Sequence, residues 1–203
     1  IASFVLVWCA FVLARRLGGG LAGVSAAVLT ASSPIVLYQA VQPMNDIATA
    51  ALWLAALASC RSGGSLDPPT GLRSILAGFL VGLAILVRPN LAPLALIVAG
   101  MLWRPGQPVP LRGMALLAAG AIPGVAAWLW LNYLLYGSVA GNGYGSVAEL
   151  FSLSNVGANL ANYGLAFYQT QTVFPLVALA APFLLTGETR RVALWLLAFA
   201  GAV

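Results

Sequence analysis

The sequence contains no lysine and no histidine. Within this span it offers no imidazole base and no imidazole metal ligand. Charged residues make up 6% of the chain, against about 25% in a soluble domain. There are two cysteines, Cys9 and Cys60, with neither pair spacing nor neighbouring ligands. Both read as packing residues, not as a disulfide or a metal site. What remains is apolar: 62% of the 203 residues are hydrophobic and the mean hydropathy is +0.98. The sequence predicts an all-α integral membrane protein, because open strands cannot satisfy their backbone in lipid. The net charge of +5 comes from arginines at the ends of apolar runs. That placement reads as topogenic charge and excludes nucleic acid as a partner; the bilayer is the expected one.

Eight apolar runs stand out, at residues 1–14, 21–38, 47–60, 74–87, 91–103, 113–136, 172–185 and 192–203. Crossing a hydrocarbon core of roughly 30 Å takes about 20 helical residues. The runs predict a polytopic bundle of about eight transmembrane segments forming a single domain over 1–203. The chain opens and closes inside apolar runs. The first and last segments are therefore expected to be cut, and the chain to be an internal piece of a longer protein. Gly-x-x-x-Gly spacing at Gly19/Gly23, Gly78/Gly82 and Gly120/Gly124 predicts close helix contacts. Pro34 and Pro123 fall within runs and are expected to kink them.

Threading the runs in order puts eight of the nine arginines on one side. Arg15, Arg16, Arg61, Arg73, Arg104, Arg112, Arg190 and Arg191 share a face, as cytoplasmic loops do. The exception is Arg88, in Arg88-Pro89-Asn90. A single long, broken helix over 74–103 would flip everything downstream and abolish the asymmetry. A hairpin at Arg88 is preferred, since Pro89 disfavours helix at the residue before it. Fourteen uncharged residues separate Arg73 from Arg88, and fourteen separate Asp46 from Arg61. A limb of that length covers about 21 Å, short of a core of roughly 30 Å. Snorkelling arginines cover part of the gap. The rest predicts that Asp46 and Arg88 lie recessed on the outer face, where charges mark function or pair with each other.

Two outer segments are chemically unusual. Residues 38–46 are polar, carry Gln42 and Asn45, and end at Asp46, where the next helix starts. Capping of that helix by Asn45 or Asp46 is one use for them. Residues 137–171 hold Tyr144 and Glu149 and no arginine, with Asn155, Asn159 and Asn162 at helical spacing. This predicts an outer, partly amphipathic segment at the membrane interface. Arginine binds phosphate bidentately. A carboxylate can orient a sugar hydroxyl, hold a divalent metal or pair with Arg88. The pattern fits a lipid-linked phosphate at the outer leaflet, with Arg88, Asn45, Gln42, Tyr144 and Glu149 as candidate substrate contacts and Asp46 as a supporting acid.

The stretch Ala14-Arg15-Arg16-Leu17-Gly18-Gly19, then 21–34, then 43–46 running into 47–57, resembles the GT-C-type polytopic glycosyltransferases. The nearest group is the RgtA/B/C/D-like and protein O-mannosyltransferase-like (family 39/83) enzymes. Gly78-Phe79-Leu80-Val81-Gly82-Leu83-Ala84 leading to Arg88-Pro89 is similar to a helix of that family. Tyr136-Gly137-Ser138 followed by Gly143-Tyr144-Gly145 is similar to its later outer loop. The resemblance implies transfer of a sugar from a polyprenyl-phosphate carrier to a glycan, lipid or protein acceptor on the outer face of the inner membrane. It implies that Asp46 matches an acidic residue of an outer loop and that Arg88 lies near the carrier phosphate. It also places the main catalytic acid upstream of Ile1, so that the chain alone is expected to be inactive. A secondary transporter and a non-catalytic membrane subunit are the alternatives. A transporter would need ionisable groups at mid-membrane and paired discontinuous helices. A lipid-modifying enzyme of another class would ordinarily use histidine or metal clusters.

Overall fold

A computed structural model of the chain describes residues 1–42, 44–60, 71–103, 107–139, 156–171 and 174–201. Every regular element among them is helical. The first is α1, Ala2–Ser32, assigned as one helix but interrupted at Gly19, whose φ of 82° and ψ of −172° are not helical. That region of backbone space is open essentially to glycine alone. The break reverses the chain. A Cβ placed on Gly23 would lie 2.8 Å from Arg15 Cβ and 3.0 Å from the Phe11 carbonyl oxygen. In a straight helix, residues 12 apart stand about 18 Å away from each other. So α1 is a hairpin of two legs, residues 2–18 and 20–32, and not a single 31-residue rod. The two-run reading of this region holds. The turn, however, comes after Arg15 and Arg16, which stay helical.

Replacing Gly19 by Ala puts a Cβ into this conformation and is expected to cost about 1–3 kcal/mol. Gly20→Ala is the control, since a Cβ there meets nothing within 4 Å and its φ is ordinary. Thermal unfolding in detergent should separate the two variants.

The second leg breaks again at Ser33, which is extended (φ −62°, ψ 122°), and Pro34 starts α2, Pro34–Val41. The Pro34 kink is thus a change of helix. Proline lacks the amide that an unbroken helix would need and suits a first turn. Next come α3, Asp46–Ser59, and α4, Gly71–Val87. A 3-10 turn at Pro89–Leu91 follows, then α5, Leu94–Leu102, and α6, Leu111–Tyr136. Helix α6 passes through Pro123 and ends at Gly137, whose φ of 69° forms a left-handed cap. The last three are α7, Val156–Gln171, α8, Phe174–Leu184, and α9, Gly187–Gly201. Each apolar run of the sequence therefore contains helix. By length and composition α6 qualifies as a membrane span, whereas α1 reaches that length only with its two legs counted together. The others are shorter, α5 having only nine residues.

Helices α4 and α6 form the tightest pair. A Cβ on Gly78 would sit 1.9 Å from the Leu117 carbonyl oxygen, and one on Gly82 would sit 2.5 Å from that of Ala121. From the other side, Gly120 faces Ile75 and Gly124 faces Gly82. Both Gly-x-x-x-Gly pairs are spent on one interface, where absent side chains let backbones touch. Contacting residues advance together along both helices: 78 meets 117, and 82 meets 121. The helices therefore run parallel, which requires α5 to run back between them. This is the hairpin at Arg88-Pro89-Asn90, and it rules out one long helix over 74–103.

The remaining contacts orient the bundle. Asn45, at the start of α3, meets Val87, at the end of α4. The Cys60 thiol, just past α3, reaches the Val98 carbonyl of α5 at 3.9 Å. On α9, Arg191 donates to the Trp103 carbonyl, while Phe199 meets Trp53 edge-on at 6.0 Å. Helix α9 thus leaves from the end of the bundle where α5 finishes. Arg16, in the first leg of α1, donates to the Ala58 carbonyl at 2.6 Å, at that same end. Of the described arginines, Arg15, Arg16, Arg73, Arg112, Arg190 and Arg191 gather at one end and Arg88 stands at the other. Arg61 and Arg104 lie outside the described residues.

The core comprises Leu13, Trp53, Leu57, Val81, Leu94, Val98, Leu117 and Val192, all nearly inaccessible. Around it, large apolar side chains point outwards, among them Val28, Ile122, Trp130, Leu134 and Leu135. Soluble monomers rarely expose large apolar patches. On helices this hydrophobic, outward-pointing apolar side chains suit a lipid environment.

Candidate functional site

At the end opposite the arginine cluster, three helix ends converge. Helix α2 finishes there at Val41, α3 begins at Asp46 and α4 stops at Val87. Asp46 occupies the first turn of α3 and Arg88 follows the last residue of α4. Each charge suits the helix end it occupies, since N-termini favour anions and C-termini favour cations. The two helices run antiparallel, so their ends bring the charges together. Arg88 Nη1 and Asp46 Oδ1 form an ion pair. The second carboxylate oxygen of Asp46 accepts from Gln39 Nε2 at 3.0 Å. Both oxygens of Asp46 are thereby engaged.

Asn45 does not cap α3 with its side chain. Its Nδ2 crosses to α4 and donates to the Val87 carbonyl at 3.0 Å. It thereby satisfies one of the carbonyls left over at that helix end. The α3 terminus is instead tightened by Thr49, whose Oγ1 donates to the Asn45 carbonyl at 2.8 Å. Asn45 is thus the tie holding the α3 and α4 ends in register. Asn45→Ala should cost about 0.5–1.5 kcal/mol, the usual net worth of one such hydrogen bond. A larger fall in activity than in thermal stability would mark Asn45 as a substrate contact as well.

Arg88 retains 43% exposure and Asp46 retains 25%. The carboxylate is the inner partner and the guanidinium the outer one. A guanidinium has five N–H donors, and the pair with Asp46 leaves others directed away from it. The arrangement is an oriented cation at the mouth of a helix junction, suited to a planar oxyanion such as phosphate. Gln39 was not singled out by sequence. The polar segment announced a cluster, but nothing in its spacing showed which amide would turn inward. Its Oε1 is buried and has no hydrogen-bond partner.

Of the other candidates, Gln42 is partly buried just past α2. Tyr144 and Glu149 lie outside the described residues. Helix α7 covers residues 156–171 of the segment expected to be amphipathic, exposes Asn159 and Asn162, and passes beside α2. At the same end, the buried Asn132 of α6 donates to the Val139 carbonyl at 3.3 Å, folding the chain after α6 back onto the helix. Among the described residues, no three of His, Cys, Asp and Glu come together to hold a metal ion.

Residues 1–130 match the family model described as dolichyl-phosphate-mannose-protein mannosyltransferase. The matched segment includes the whole Gln39–Asp46–Arg88 cluster, all of α4, and α6 as far as residue 130. No curated protein and no solved structure matches the chain.

Proposed function

The chain belongs to the dolichyl-phosphate-mannose-protein mannosyltransferase family, and from that premise we propose that it moves a sugar from a polyprenyl-phosphate carrier to an acceptor at the Arg88 end of the bundle. In this reading all eight apolar runs are membrane segments. The arginine-rich end faces the cytoplasm and the Arg88 end faces outwards, following the positive-inside bias. The observation that carries the proposal is the Arg88–Asp46 pair, held by Gln39 at the convergence of α2, α3 and α4.

Arg88 contacts the carrier phosphate. As the acceptor attacks the anomeric carbon, the bond to the phosphate oxygen breaks and negative charge grows on the leaving group. A fixed guanidinium stabilises that charge in the transition state more than in the ground state. Asp46 positions the guanidinium and offsets its desolvation. With both oxygens occupied, it is poorly placed to take the acceptor proton, so that base is another carboxylate. The sugar, the acceptor and any divalent metal are set by residues beyond this cluster. Glu149 and Tyr144 are the candidates from the segment after α6, and Gln42 is the one beside α2.

The test is binding of a polyprenyl phosphate to the purified full-length protein. Arg88→Ala is expected to weaken binding by about tenfold or more, the worth of a charge-assisted contact. Arg88→Lys should recover part of the loss, having charge without the bidentate fork. Unchanged binding in both variants removes Arg88 from the phosphate.

A further inference from the structure

We propose that the arginine-rich end carries a second site, which binds the phosphate of an anionic lipid headgroup between the first turns of α4 and α6. It lies at the opposite end of the bundle from Arg88, so it stands or falls independently of sugar transfer. The parallel packing of α4 and α6 brings two helix N-termini to the same place. Between them is a pocket of about 310 Å³ lined by Gly71, Ser74, Leu102, Arg112, Gly113 and Leu116, with Pro110 at its edge.

Three of its donors lack acceptors among the described residues. Ser74 is fully buried, and its hydroxyl has no hydrogen-bond partner. A buried, unpaired hydroxyl carries a desolvation cost that a ligand would relieve. Helix α6 has no side-chain cap. The Leu111 amide finds the Val109 carbonyl, and the first helical bond is that of Met114 to Pro110. The amides of Arg112 and Gly113 are thus left without acceptors among the described residues. Ser74, Arg112 and Gly113, which carry one hydroxyl, one guanidinium and two unbonded amides, border one space, aided by two aligned helix dipoles. That donor set selects a phosphate oxyanion.

A Cβ at Gly113 would stand 3.8 Å from Ser74 Oγ and from Leu102 Cδ1, narrowing the space beside the hydroxyl without clashing. The walls formed by Leu102, Leu116 and Pro110 are apolar, which favours a phosphate that arrives with acyl chains over a free ion.

The experiment is thermal unfolding of the full chain in neutral detergent, titrated with phosphatidylglycerol, with phosphatidylcholine, and with inorganic phosphate against chloride at equal ionic strength. Phosphatidylglycerol is expected to raise the midpoint, and phosphatidylcholine is not. Gly113→Ala and Ser74→Ala should keep or raise the lipid-free midpoint, because neither creates a clash and the second removes an unpaired polar group. Both, like Arg112→Ala, should shift the half-saturating lipid concentration upward by about tenfold, the equivalent of one charge-assisted hydrogen bond. An equal response to inorganic phosphate, weakened by the same variants, retains the site and makes free phosphate its ligand. No response to either anion in the wild type, or a response untouched by all three variants, overturns the proposal.

Discussion

Replacing Arg88 by Ala is expected to lower sugar transfer by about 10²–10³-fold, the usual effect of deleting one preorganised donor to a developing oxyanion. The same change should barely alter stability. Arg88 is 43% exposed and Asp46 is 25% exposed, and ion pairs this accessible to solvent are worth less than about 1 kcal/mol. A large loss of turnover with a small shift in unfolding temperature separates a substrate contact from a fold contact. Arg88→Lys should fall between wild type and Arg88→Ala, keeping charge but losing the planar fork. Asp46→Asn should cost less than Arg88→Ala, about tenfold, because it loosens the guanidinium without removing it. Since Asp46 acts through Arg88, the double variant Asp46→Asn/Arg88→Ala should be no worse than Arg88→Ala alone; fully additive losses would give Asp46 a direct role.

The largest expected effect on folding lies at Gly78. Its Cβ would meet the Leu117 carbonyl oxygen at 1.9 Å, and both atoms belong to rigid helix backbones. No rotamer change can relieve that contact, so α4 and α6 must part along their length. Gly78→Ala should therefore destabilise by about 1–3 kcal/mol or more, the range for overpacked cores. Gly78→Leu should give no folded protein. Within lipid, helices associate by packing and not by the hydrophobic effect, so an interface forced apart has little to replace it. The control is Gly157→Ala in α7, where a Cβ meets nothing within 4 Å. If Gly78→Ala melts with the wild type, α4 and α6 do not pack in parallel, and the hairpin at Arg88 loses its support.

The reversal between α4 and α5 was legible because charge and proline report on it directly. Threading eight arginines onto one side left Arg88 as the exception, and Pro89 marked the turn. The parallel α4–α6 pair agrees with that threading. Gly-x-x-x-Gly spacing pointed to close packing but not to partners. Only the fold shows that the pairs at Gly78/Gly82 and Gly120/Gly124 face each other, while Gly19 supplies a turn and Gly23 lets the two legs of α1 meet. Composition placed the turn after residue 14, but the helix continues to Gly18. Arg15 and Arg16 are tolerated in helix, and the backbone conformation at Gly19 is what stops it.

The site was legible in its charges and not in its amides. A lone acid and a lone base, each beside a run too short to span, announced Asp46 and Arg88. Their pairing was one of several uses open to them. Asn45 fitted the pattern of an N-cap, yet its amide bridges to Val87, because the nearby α4 terminus offers an unpaired carbonyl that a local pattern cannot reveal. Gln39 turns inward from α2 for a similar reason: its partner, Asp46, lies across a break between helices. The Ser74 pocket left no trace in sequence, since it depends on two helices that begin at Gly71 and Leu111 starting side by side.

The most direct measurement is radiolabelled sugar transfer from a polyprenyl-phosphate-mannose donor, in membranes containing the full-length protein and lacking other transferases. Covalent labelling of an acceptor that requires Arg88, with release of the carrier phosphate, is the predicted result. Donor or sugar counterflow without any covalent product would contradict the account and describe a transporter instead.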